Sequence, residues 1–107
     1  MEDIAIKKVK NAMVSVIILC KNNLVVSYEE ATDVVIYDMD LKKKVLTMRK
    51  PPDPNLLEDT IEEYDVCALI TSSISPDYRE IFEEMGVKPI IVNQNTLDNV
   101  IKEIFVG

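Results

Sequence analysis

Few side chains in this chain can do chemistry, and one type is missing: its 107 residues include no histidine. Acid–base catalysis near neutral pH most often uses an imidazole. Without one, the serine–histidine and cysteine–histidine nucleophile systems cannot be built. Cys20 and Cys67 are the soft donors. Cys20 ends an apolar run. Aimed into a crevice, its thiolate would bind a soft metal or a cluster. Two cysteines without histidine fall short of a closed zinc site, and the plainer reading is two buried thiols in a reducing compartment. Asp38 and Asp40 form a D-x-D pair. Such a pair can hold a hard divalent ion, or it can bond its own backbone in a hairpin turn. The segment Thr71-Ser72-Ser73-Ile74-Ser75 offers hydroxyls and free N–H groups ahead of a helix. These can hold an anion or simply cap that helix. The segment lacks the glycines and the lysine of a P-loop.

The elements that must position these groups are readable from the apolar pattern. Residues 13–20 form a continuous apolar run rich in β-branched side chains, which predicts a strand buried on both faces. Lys21-Asn22-Asn23 is a turn signal, and residues 24–26 suit a short extended piece. Residues 34–37 and 45–48 read as an antiparallel hairpin, and the prolines that follow end the sheet there. Asp53 before Pro54 and Ser75 before Pro76 are cap-then-proline helix starts. Tyr78, Ile81, Phe82 and Met85 form a helical stripe that Gly86 stops. Residues 66–70 and 88–92 are strands, and Asn95 or Thr96 caps a last helix striped by Leu97, Val100, Ile101, Ile104 and Phe105. Strand–helix–strand crossovers make parallel sheets. The expected fold is α/β: a five-stranded mixed sheet of order 3-2-1-4-5 with helices on both faces, a ribonuclease H-like arrangement. Residues 1–12 are expected to be an N-terminal extension and 13–107 a single domain.

A net charge of −7 disfavours nucleic acid and anionic membrane surfaces as partners. The runs Lys7, Lys8, Lys10 and Lys42, Lys43, Lys44 are short and read as solvated edges. No apolar stretch reaches the ~20 residues of a membrane span, and the first residues lack a secretion signal. A cytoplasmic location is expected. A ribonuclease H-type nuclease would need carboxylates holding two metal ions, with an acid on the central strand. Here that strand carries none.

Several segments, taken in order and spacing, resemble the dinitrogenase iron–molybdenum cofactor biosynthesis family. They are Val34-Val35-Ile36-Tyr37-Asp38, Tyr64-Asp65-Val66-Cys67-Ala68-Leu69-Ile70, Met85-Gly86-Val87-Lys88-Pro89-Ile90 and Asn95-Thr96-Leu97-Asp98-Asn99-Val100-Ile101. The resemblance implies a small ribonuclease H-like domain that carries an iron–sulfur or iron–molybdenum type cluster as cargo, with cofactor-assembly proteins as partners. The family has a His-Phe-Gly-Arg-Ala loop before its second strand. Ser27-Tyr28-Glu29-Glu30-Ala31 stands there in this chain, and Ser72-Ser73-Ile74-Ser75 replaces a glycine-rich turn. Imidazole and guanidinium suit an anionic cluster, whereas two glutamates do not.

Two functions follow as expectations. One is a non-enzymatic carrier whose cofactor-binding residues are Cys20, Ser27, Tyr28, Ser72, Ser73 and Ser75, with Cys20 as the metal ligand. The other is a protein–protein interaction module that has lost cofactor binding. An enzyme acting on a small molecule at the strand ends is a third reading.

Overall fold

The computed structural model describes residues 15–106, with side chains through 104. The expected N-terminal extension, the first two residues of the expected first strand and the lysines at 7, 8 and 10 lie outside the described residues.

Strand β1, Ser15–Lys21, is the centre of the sheet, and it is buried from Ser15 to Cys20. Its side chains alternate between two cores. Ile17 and Leu19 enter one cluster, and Val16, Ile18 and Cys20 enter the other. This is why the run is apolar at every position rather than at every second one. The chain reverses at Asn22 and Asn23, with φ of 51° and 68°. Left-handed backbone at both positions is the type I′ form of a two-residue hairpin turn, and asparagine adopts it more readily than most residues. The return is β2, Leu24–Val25, paired with the end of β1.

Strand β3, Asp33–Asp38, lies antiparallel to β1, and β4, Lys43–Arg49, lies antiparallel to β3. Lys42, with φ of 56°, closes their hairpin. Strands β5, Val66–Thr71, and β6, Lys88–Ile91, run parallel to β1 on its other side. The sheet therefore has six strands in the order β4-β3-β1-β5-β6, with β2 attached to β1 off this path. The expectation of five strands ordered 3-2-1-4-5 is corrected accordingly. Leu24 and Val25 enter the sheet as a strand of their own, so both the count and the numbering change.

The first helical layer packs on the Ile17–Leu19 face. Asp53 accepts a hydrogen bond from the Asn55 N–H and starts a 3-10 turn, Pro54–Leu57, that leads into α1, Glu58–Glu63. Ser75 accepts from the Tyr78 N–H and starts α2, Pro76–Glu84. Leu57, Ile61 and Phe82 carry these elements into the core. Fully burying such a side chain is worth about 1.5–3 kcal/mol. Gly86 takes φ of 84°, the left-handed conformation that ends the helix at little cost.

The opposite face is covered by α3, Leu97–Ile101, which runs on as a π-helical turn, Lys102–Val106. Thr96 caps it through the Asn99 N–H, while Leu97 and Val100 pack on Val16, Ile18, Cys20 and Ile70. Helices thus lie on both faces of a mixed α/β sheet. No helix among the described residues is long and apolar enough to cross a membrane.

One buried-thiol expectation fails. Cys67 is exposed. Ser15 pairs with Val66 and Val16 with Ala68, so Cys67 is the extra residue of a β-bulge. Strand β6 begins opposite Ala68 and gives Cys67 no ladder partner on that side.

Candidate functional site

In parallel sheets of this kind, ligands bind beyond the carboxyl ends of the strands. Here that edge is formed by the ends of β1, β5 and β6, and three loops meet on it. The β2–β3 loop folds back over β1: the Val26 N–H donates to the Leu19 carbonyl at 3.0 Å and the Thr32 N–H to the Cys20 carbonyl at 2.9 Å. The β5–α2 loop joins it, with the Thr71 hydroxyl 2.6 Å from the Val26 carbonyl and the Ser72 N–H 3.3 Å from the same oxygen. The β6–α3 loop closes the set. The Val25 N–H donates to the Asn95 carbonyl and the Leu97 N–H to the Asn23 carbonyl, both at 2.9 Å.

The structure therefore brings together two of the expected site segments, residues 27–31 and 71–75. Their individual side chains are largely engaged within the fold. Ser27 is buried, and its hydroxyl accepts from the Glu30 N–H at 3.3 Å, a local turn. Tyr28 is 1% exposed; its hydroxyl donates to the Pro51 carbonyl at 2.7 Å. Its ring lies 4.8 Å from that of Tyr78 and 6.0 Å from that of Phe82. Burial, then the neighbouring Tyr78 and Asp53, push its phenol up to about 12. Ser75 caps α2, while Ser72 is half-buried and Ser73 exposed at the rim. Glu29 and Glu30 face solvent.

Cys20 reaches the same edge but not the same surroundings. Its side chain packs in the cluster beneath α3, with Val25, Leu97 and Val100, whereas Tyr28 packs in the cluster beneath α2. The sheet stands between them. The thiol is 3.8 Å from the Ile18 carbonyl. Burial and the nearby Asp33 carboxylate raise its pKa from 9.0 to about 11, outweighing the pull of Lys44. A metal would have to displace the proton of this buried thiol in order to bind it.

Lys50 is a part of this region that the sequence did not signal. Its ammonium donates to the Tyr28 carbonyl at 2.7 Å and to the Glu29 carbonyl at 3.3 Å, and it lies 4.7 Å from the centre of the Tyr28 ring. It clamps the residue 27–31 loop from the far end of β4. Asp38 of the D-x-D pair does turn chemistry: one carboxylate oxygen accepts from the Asp40 and Leu41 N–H groups, both at 2.8 Å. Among the described residues, no three or more of histidine, cysteine, aspartate and glutamate are grouped to hold a metal ion.

The donor set does not fit an iron–sulfur or iron–molybdenum cluster. Its one soft donor is turned into the α3-side core, and three of the five nominated hydroxyl-bearing residues are tied into turns, caps and core. Two outcomes are expected of Cys20. Alkylation of the folded protein will label Cys67 and spare Cys20, with the second label appearing only on unfolding; peptide mapping by mass spectrometry reads this directly. Stability will also fall at alkaline pH. The unfolded chain gives up the thiol proton near 9 and the folded one near 11, so the contribution of this group is intact below pH 9 and is lost as pH rises through 11. Tyr28 adds the same sign of effect from 10 to about 12. Urea midpoints measured across this range should decline, and Cys20→Ala should flatten the lower half of the decline.

No protein-family model matches the chain, and no curated protein matches it. Solved structures do. The crystal structure of a protein named PH0822 is 18% identical with a TM-score of 0.70, covering 88% of this chain and 92% of that one. An NMR structure from Thermotoga, provisionally named as a NifB protein of the DUF35 family, is 20% identical with a TM-score of 0.69, over 89% and 90% of the two chains. A crystal structure from Methanocaldococcus jannaschii, provisionally named as a dinitrogenase, is 19% identical with a TM-score of 0.61, over 89% and 92%. These neighbours are consistent with the sequence resemblance to the dinitrogenase iron–molybdenum cofactor biosynthesis family, and at such identity what this chain shares with them is the fold.

Proposed function

We propose that this chain is a non-enzymatic binding module with the fold of the cofactor-biosynthesis proteins, and that it engages a protein partner instead of carrying a cluster on Cys20. The observation that carries this reading is the placement of Cys20: a protonated thiol in the α3-side core, across the sheet from the loop that would complete a cofactor site. The surface supplies the second support. Glu29 and Glu30 are exposed at the loop where the resembled family has histidine and arginine. The outer faces of α1 and α2 expose Glu58, Asp59, Glu62, Glu63, Asp77, Glu80, Glu83 and Glu84. Arg79, paired with Glu83 at 3.5 Å, is the one basic side chain on these two helices. A predominantly negative surface steers association with a positive one, so the partner is a protein with a basic face, and the complex weakens as salt rises.

The competing reading is a carrier of an iron- or molybdenum-containing cluster, and the names of the structural neighbours favour it. One preparation separates the two. The protein is purified without oxygen from a cluster-producing host, and its iron, molybdenum and visible absorption are recorded. The interaction module is colourless, holds little metal and does not load when offered cluster. Near-stoichiometric metal with charge-transfer bands would overturn the proposal, and loss of that metal in Cys20→Ser would assign the ligand.

A further inference from the structure

We draw no further inference here: the strongest candidate, the rim of the sheet along edge strand β6 where Ile90 and Ile91 are exposed, carries nothing because nothing in the structure shows what covers it.

Discussion

Tyr28→Ala will cost the fold about 3–5 kcal/mol, the range for truncating a fully buried aromatic side chain. The ring is 1% exposed and fills the space between the residue 27–31 loop and α2. Its contacts with Tyr78 and Phe82 fall within the 4.5–7 Å separation at which aromatic pairs add about 0.5–1.5 kcal/mol beyond burial. The Lys50 ammonium over the ring contributes in the same direction. Tyr28→Phe keeps the ring and removes only the hydrogen bond to the Pro51 carbonyl, so it should cost about 1 kcal/mol. Urea unfolding of the two variants reads the difference. The pair also tests role. A tyrosine that served a ligand through its hydroxyl would lose binding in the Phe variant while the fold stayed firm. A tyrosine that serves the core loses stability in the Ala variant first. A Tyr28→Ala protein within 1 kcal/mol of the wild type would mean that the loop does not depend on this anchor.

Tyr28 also marks where sequence reading stops. Its position in a loop, between Ser27 and the pair Glu29-Glu30, gives no apolar period, so nothing local distinguishes a core anchor from a surface ligand-binder. Its burial is decided by Tyr78 and Phe82 on α2 and by Pro51 after β4, all distant in sequence. Lys50 is illegible for the same reason: its partners are 22 and 21 residues away. Where the cause is local, the reading succeeds. Ser75 before Pro76 and Asp53 before Pro54 cap as expected, because a hydroxyl or carboxylate meets a free N–H within three residues. Gly86 ends α2 because it reaches positive φ cheaply. The unbroken apolar run of β1 announces a central strand. Leu24 and Val25 are too few to show a period; the strand exists because Asn22 and Asn23 turn the chain and the β6–α3 loop bonds its far side. Cys67 reads as core by its neighbours, and a bulge moves it out. The candidate site was legible as a meeting of two loops at the strand ends. It was not legible that Cys20 faces the opposite core, since its side is set by the parity of β1.

The two loops meet through Thr71, and Thr71→Val should release them from each other. Thr71 is fully buried. Its hydroxyl lies 2.6 Å from the Val26 carbonyl and 3.0 Å from the Ser73 carbonyl, so its single proton serves one firmly and the other weakly. Valine has nearly the same shape and suits a strand as well, so β5 itself should be undisturbed. What changes is polarity. The Val26 carbonyl keeps only the longer contact from the Ser72 N–H, at 3.3 Å. Leaving buried acceptors short of a donor costs about 1–3 kcal/mol. The loss should be local as well as global: amide exchange should rise at residues 26–31 and 72–75, while the amides of β1 and β3 slow or quicken only with overall stability. The same variant bears on function. If the edge works as a fixed surface for a protein partner, loosening these loops weakens capture of that partner without any change in net charge. Unchanged exchange at both loops, with a urea midpoint equal to that of the wild type, would show that the backbone bonds alone hold the edge closed.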